Sequence, residues 1–423
     1  MTVATRGKLI EIQAVPGEAT DRMLALQRSA RSPVLHEVAT DPVGAFAETS
    51  FAIVGCGSVG MNHADRAARL GPRSILCVDP ADLKAESTLT HPCMPADVGR
   101  PKAIVGAERA KAVSPSTRVF AFVGGLEDVP IHVLSGVTHM LLGSDNLRAE
   151  TLAGERALQL GFQLQQGSVH AGTLTAQSRV FPASKDAAGS CPACQFSARE
   201  WRDLDEGVVY SCGGAEPAGT VAHARRATAS LPHLCSVAAD LNLNELTRSL
   251  VGLDAGEGSR LVEFCGFTRR TTVTGLVANP ECPFEHVPTR LVPAEDLAER
   301  TVESLVAEAG YSGADPHRVT LTVEAHRFAI LAACGCTRHA ELFRFLPDDA
   351  HAGGCEACGE PRFAHPLHVH RETPVAAFRG VADRSLASLG ATPTAIRVRG
   401  DHGPVLVHAP SPWHLPAEGG TPR

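Results

Sequence analysis

Phe51-Ala-Ile-Val54 runs directly into Gly55-Cys-Gly-Ser-Val-Gly60, then into the helical stretch Met61–Leu70, a glycine at 71 and the apolar run Ser74-Ile-Leu-Cys-Val78, closed by Asp79. The two apolar runs show no alternation with polar residues, the pattern of strands in a parallel sheet covered on both faces. Between them, Gly55-x-Gly57-x-x-Gly60 lets the backbone approach a phosphate, and the helix that follows aims its first amides at the charge. Asp79 ends the second strand, where a carboxylate can take the hydroxyls of a ribose. Further outward the alternation continues. Strands are predicted at Arg118–Val123, Met140–Gly143 and Gln163–Val169, with helices at Lys102–Val113 and Leu147–Gly161. Strand, helix and strand in this order read as a doubly wound α/β sheet.

The chain has 423 residues, which suggests two or three domains at roughly 150 residues each. With 44% hydrophobic and 20% charged residues it can bury a core and is not a disordered chain. No run approaches the roughly 18 apolar residues of a membrane span, and Met1 to Ala19 lacks a charged-then-apolar export pattern. A net charge of −7 without a basic run argues against nucleic acid as a partner. The expectation is a soluble, cytoplasmic enzyme that binds neither membrane nor nucleic acid. Its 13 cysteines are odd in number, and close pairs in a reducing compartment indicate metal more often than disulfide.

Three divisions are expected. Residues 1–48 form an N-terminal arm with a short amphipathic stretch at Thr20–Arg28. Residues 49–290 hold the Rossmann-like sheet, a long helix at Thr228–Leu250 and a strand at Arg270–Ala278. Residues 291–423 form a C-terminal α+β domain, with a helix at Ala294–Ala309 and strands at Val319–Glu324, Phe328–Ala332 and Ile396–Arg399. The Pro/Gly-rich tail from Pro410 is expected to fray.

Downstream residues choose among nucleotides. Only five lysines occur, at 8, 84, 102, 111 and 185, and Lys102 opens a helix after Asp97-Val-Gly-Arg-Pro, placed to meet a triphosphate as a point charge. Asp145 in Leu142-Gly-Ser-Asp-Asn146 lies just past a strand end and suits Mg²⁺, which takes one or two carboxylates together with phosphates. Cys191-Pro-Ala-Cys194 follows. A nicotinamide oxidoreductase needs none of these three together.

As a set, and in this order, Ile-Val-Gly55-Cys-Gly-Ser-Val-Gly60, Val78-Asp79, Asp97-Val-Gly-Arg-Pro-Lys102, Ser144-Asp145-Asn146, Cys191-x-x-Cys194 and Asn279-Pro-Glu-Cys282 resemble the ThiF/MoeB/HesA superfamily, which includes the ubiquitin-activating enzymes. The resemblance spans residues 51–286. It implies adenylation, with ATP and Mg²⁺, of the C-terminal carboxylate of a ubiquitin-like or sulfur-carrier protein by a homodimer. On this pattern Gly55, Gly57 and Gly60 cradle the nucleotide, Asp79 holds the ribose, Lys102 the phosphates and Asp145 the Mg²⁺. A cysteine after the first zinc pair often accepts the acyl group in this family. Cys212 in Tyr210-Ser-Cys-Gly-Gly-Ala-Glu-Pro-Ala-Gly219 fits, its glycine flanks permitting movement. The chain departs from the pattern in one segment. Where the family has Ser-Asn-Leu-x-Arg-Gln, this chain has Glu86-Ser87-Thr88-Leu89-Thr90-His91, so Ser87 and Thr90 replace Asn and Arg. The replacement contact is left among His91, Arg28 and Arg31, and a catalytically silent scaffold stays open as the rival.

Zinc takes four N or S ligands, usually as two close pairs. Cys191 and Cys194 form one pair; the family's second pair falls at Cys282-Pro-Phe-Glu285-His286, where Glu285 stands at a cysteine position and His286 is the better ligand, with loss of this metal as the rival reading. Cys334-Gly-Cys336 and Cys355-Glu-Ala-Cys358, eighteen residues apart, read as a second zinc site like a zinc ribbon, structural because four thiolates leave no open position. Cys56, Cys77, Cys235 and Cys265 lie in apolar text and are expected in the core.

Overall fold

The computed structural model describes residues 6–15, 42–144, 146–183, 189–206, 209–211, 225–227, 230–253, 257–284, 286–287, 289–324, 326–334, 336, 339–347, 352–365 and 368–410. The chain divides into two compact units, Met1–Val129 with Val137–His286, and Pro130–Gly136 with Val287–Arg423.

The first unit is built on one nine-stranded sheet. Its strands are β1 (Leu9–Ile12), β2 (Ser50–Val54), β3 (Ser74–Val78), β4 (Arg118–Phe122), β5 (His139–Leu142), β6 (Gln163–His170), β7 (Thr175–Phe181), β10 (Arg260–Cys265) and β11 (Arg270–Gly275); two short strands, β8 (Val209–Ser211) and β9 (Arg225–Ala227), pair separately. The order is β1-β4-β3-β2-β5-β6-β7-β10-β11, with β4 through β6 parallel and the rest antiparallel. The chain therefore moves from β2 outward through β3 and β4, then returns to the other side of β2 with β5. That reversal opens a crevice at the carboxyl ends of β2, β3 and β5, the place where open α/β sheets bind ligands.

One face of this sheet is a single core. Phe51, Ile53, Ile75, Cys77, Val119, Ala121 and Leu141 meet the helices Gly60–Arg69, Lys102–Val113 and Pro232–Leu250. Each large apolar side chain buried there contributes roughly 1.5–3 kcal/mol. The helices present small residues (Ala64, Ala67, Ala68, Ala103, Ala107 and Ala110, all fully buried), so their backbones lie close to the strands. Enlarging one of them costs about 1–3 kcal/mol in overpacking. The helix Leu147–Leu160 packs on β5 and β6. It starts at Asn146, whose side chain accepts from the Arg148 amide, and stops at Gly161 in the left-handed conformation. The long helix begins at Pro232 rather than Thr228, with proline tolerated in the first turn. Cys56, Cys77 and Cys235 are fully buried, but Cys265, at the end of β10, is only half-buried.

The second unit carries a five-stranded sheet, order β12 (Arg290–Pro293), β20 (Gly403–His408), β19 (Ala395–Gly400), β13 (Thr320–Val323), β18 (Glu372–Pro374). A smaller sheet joins β14 (His326–Ala333), β15 (His339–Pro347), β16 (Phe363–Ala364) and β17 (Val369–His370). Phe328, Phe345 and Phe378 pack as a trio, with ring centroids 4.3 to 5.8 Å apart. The helix expected over Ala294–Ala309 is broken. Asp296 is left-handed at φ 52°, a 3₁₀ turn covers Leu297–Glu299, and only Val302–Glu308 is α-helical. Thr301 starts that helix by a reciprocal cap with Ser304, which needs an extended residue where the helix had been expected to continue.

Candidate functional site

The glycine turn leaves β2 at the crevice. Gly55 has φ +80°, and a side chain there would meet the Ser144 amide at 2.8 Å; at Gly60 a side chain would lie 1.8 Å from the Gly55 carbonyl oxygen. Both positions accept only glycine. Gly57 is different. Its added Cβ would meet only His91 Nε2, at 3.9 Å, an ordinary van der Waals contact, so the histidine ring lies against the middle of the turn.

Asp79 sits at the end of β3, 6% exposed. Its carboxylate accepts from the Cys56 amide (Oδ2, 2.7 Å) and the Ala81 amide (Oδ1, 2.8 Å), so it locks the glycine turn as well as facing the crevice. The Lys102 amide donates to the Ala81 carbonyl at 3.0 Å, and a bridge between Asp82 and Pro101 fixes the approach. Asp79 and Lys102 are thereby tied to the same residue. The rest of the Asp97–Lys102 motif is scaffolding. Asp97 accepts from the Met94 amide and from Arg100, and Arg100 also makes a two-pronged contact with Glu108, which holds its guanidinium firmly protonated. Lys102 itself opens its helix and forms no ion pair with a described residue.

Asp145, Cys212, Arg28 and Arg31 lie outside the described residues. The neighbours of Asp145 are placed: Ser144 Oγ accepts from the Asn146 amide at 3.2 Å, and Asn146 caps the next helix. Ser87 is buried and engaged locally, its hydroxyl accepting from the Lys84 amide at 3.1 Å. Thr90 contacts only the next side chain, Oγ1 to His91 Nδ1 at 2.9 Å. Cys56, inside the turn, is no nucleophile: its contact with Cys77 and its burial push the thiol well up.

The four residues of the first cysteine cluster meet. Cys191 Sγ lies 3.8 Å from Cys194 Sγ and 3.7 Å from Cys282 Sγ, and Cys194 Sγ lies 3.5 Å from His286 Nε2. Four tetrahedral ligands at the usual zinc bond lengths stand about 3.8 Å apart for two sulfurs and about 3.5 Å for sulfur and nitrogen. The separations match that requirement. His286 Nδ1 donates to the Gly189 carbonyl, which leaves the Nε2 lone pair turned to the sulfurs. Nothing in the sequence marked Gly189.

The second cluster also assembles, with less even spacing. Cys334 Sγ is 2.7 Å from Cys336, 3.3 Å from Cys355 and 3.8 Å from Cys358. Cys334 and Cys355 are buried, Cys336 and Cys358 exposed. Both groups could hold a metal ion.

The family model described as ThiF matches residues 31–284, more than half of the chain. The chain belongs to the ThiF family. It is 24% identical over 266 residues to the sulfur carrier protein adenylyltransferase of Thermus thermophilus, a match that spans 61% of this chain and 90% of the relative. Among solved structures, E. coli MccB with succinimide is similar at 14% identity and a TM-score of 0.44, covering 63% of this chain and 74% of that one. PaaA is similar at 14% identity and a TM-score of 0.43, covering 63% and 76%. The glycine turn, Asp79 and the helix opened by Lys102 meet at the carboxyl edge of the sheet, with Ser87 and Thr90 in the turn that follows β3. Glu285 lies outside the described residues. Among the described residues no helix is long and apolar enough to cross a membrane.

Proposed function

We propose that this chain activates the C-terminal carboxylate of a ubiquitin-like or sulfur-carrier protein as an acyl-adenylate. The observation that supports this reading is the convergence of Gly57, Asp79 and Lys102 on one crevice in a ThiF-family chain. In the reaction a carboxylate oxygen attacks the α-phosphorus of ATP, and the bond from that phosphorus to the bridging oxygen breaks. Pyrophosphate leaves with the electron pair. The acyl carbon gains a leaving group far better than oxide, which is the purpose of the step. Asp79 orients the ribose, the glycine turn lets the backbone approach the phosphates, and Lys102 balances their charge at the moment of transfer. Asp145 would hold Mg²⁺, which supplies further charge neutralisation when bound.

Cys212 is proposed as the acceptor that takes the acyl group to a thioester, releasing AMP. The two cysteine clusters are proposed as structural zinc sites, Cys191, Cys194, Cys282 and His286 in one, Cys334, Cys336, Cys355 and Cys358 in the other. We retain the division into an arm (1–48), an adenylation domain (49–290) and a zinc-ribbon-like domain (291–423) that docks a partner protein. A cytoplasmic homodimer follows from the same family reading.

Carrier-dependent exchange of pyrophosphate into ATP tests the proposal. Exchange is expected in the wild type and lost in Asp145→Ala and Lys102→Ala. Nicotinamide binding without ATP binding would sink it. Cys212→Ser should keep exchange and lose the thiol-sensitive adduct. A second reading, a silent scaffold, is favoured by the replacement of two family polar residues with Ser87 and Thr90; carrier binding without exchange would select it.

A further inference from the structure

The segment in which the chain departs from its family also holds a buried histidine beside the glycine turn. His91 is 9% exposed, and its Nε2 has no hydrogen-bond partner among the described residues. An unmade bond at a buried ring nitrogen is destabilising, and such groups persist where something else completes them. The 3₁₀ turn Ala85–Leu89, held by the Ser87–Lys84 contacts, carries the ring over the glycine turn. There Nε2 lies 3.9 Å from the position of a Cβ built on Gly57, beside the middle of the turn.

We propose that His91 Nε2 donates a hydrogen bond to a phosphate oxygen of the bound nucleotide, replacing the contact that Thr90 no longer supplies. This rests on the ATP reading of the crevice and adds a residue to it. The neighbouring side chain is compatible with the required tautomer. The Thr90 hydroxyl, which can donate or accept, lies 2.9 Å from Nδ1; when it donates, the ring proton sits on Nε2, the nitrogen beside Gly57. Burial, and then the charge of Lys102, lower the ring's pKa to about 4, so it is a neutral donor at pH 7. The cation Lys102 is thus joined by a neutral N–H. The arrangement supplies a directed bond without placing a second positive charge in a buried position beside the first.

Calorimetry with ATP and Mg²⁺ tests it on the full chain. His91→Ala is expected to weaken ATP binding roughly ten-fold, the effect of one hydrogen bond to a charged acceptor. His91→Gln, which keeps an N–H, should recover most of the loss, and Thr90→Val should lose part of it. In wild-type protein labelled with ¹⁵N at histidine, the His91 Nε2 signal should keep its N–H tautomer and shift on ATP addition. An unchanged affinity in His91→Ala, or a His91 signal that ATP does not move, overturns the proposal while ATP binding by the wild type leaves the adenylation reading standing. A wild type that binds no ATP overturns both.

Discussion

The two cysteine clusters invert what their sequences suggest. Cys334-x-Cys336 and Cys355-x-x-Cys358 have every expected ligand, whereas the cluster at Cys191, Cys194 and Cys282 stands one family cysteine short. Yet in the incomplete one three ligand contacts span only 3.5 to 3.8 Å, with all four ligand atoms within 4.8 Å of one another. The complete one has two sulfurs at 2.7 Å and two exposed ligands. Ligand spacing along the chain fixes which residues can meet; the backbone around them fixes how well. In the first cluster a 3₁₀ turn follows Cys191, the Cys282 amide donates to the Asn279 carbonyl at 3.0 Å, and Gly189 holds His286. A ligand set drawn from distant segments is ordered by the whole sheet that separates them.

The largest effect is expected at Cys282. Cys282→Ser removes a thiolate that joins Cys191 to a segment 91 residues away. Metal analysis should fall from two zinc ions per chain to one. The first unit should lose on the order of 5 kcal/mol in denaturant unfolding, a fraction of what structural zinc supplies to a small domain. Two zinc ions in the variant would break the contrast between the clusters.

A change of nearly that size is expected with no metal involved. Arg260 on β10 and Glu245 on the Pro232–Leu250 helix form a buried pair at 2.7 Å, with side chains 5% and 7% exposed. Glu245→Ala removes the buried carboxylate of this pair but leaves Glu257 Oε2 at 3.3 Å from Arg260 Nε, and should cost about 3 kcal/mol, the low end for a broken buried pair. Zinc content should stay at two, which separates general weakening of the unit from loss of its metal. A fall in zinc would show that the cluster depends on this joint.

His286→Ala should do less, about 2 kcal/mol, since three thiolates keep the ion and water takes the fourth place. Zinc should remain but pass to a chelator on the order of ten-fold faster. If the ion is lost outright, the imidazole is as necessary as any thiolate.

Much of this was legible in the sequence, and the failures have a pattern. β2, β3 and the Lys102–Val113 helix could be read because parallel strands and their covering helices carry their periodicity in the local text. Gly55, Asp79 and Lys102 could be read because each ends or begins such an element. Thr175–Phe181 and Arg260–Cys265 carry Gln, Ser, Arg and Glu, which blur the apolar signal of a strand; the first pairs with β6 in a local hairpin, and its pairing with β10 is a long-range fact. Ala294–Ala309 has a composition that favours one helix, while the left-handed Asp296 that breaks it leaves no local mark. His91 was visible only as one of three possible substitutes. Its place over Gly57 depends on how a 3₁₀ turn folds back, which spacing does not encode.

The smallest effect should come from the cluster that the sequence presents as complete. Cys336 is exposed and crowded against Cys334 at 2.7 Å. Cys336→Ser relieves that contact and leaves Cys334 at 3.3 Å from Cys355 and 3.8 Å from Cys358, three thiolates that still surround an ion with water as the fourth ligand. The second unit also has a core that owes nothing to this metal, since Phe328, Phe345 and Phe378 pack on one another and on Leu321, Ile396 and Val398. Unfolding of that unit should therefore move by about 1 kcal/mol or less, within the usual range for an exposed substitution, with zinc content near two. Loss of the ion from Cys336→Ser, with the ion retained in His286→Ala, would reverse the ranking of the two clusters. The crowded pair would then be the tighter grip, and even spacing a poor guide to it.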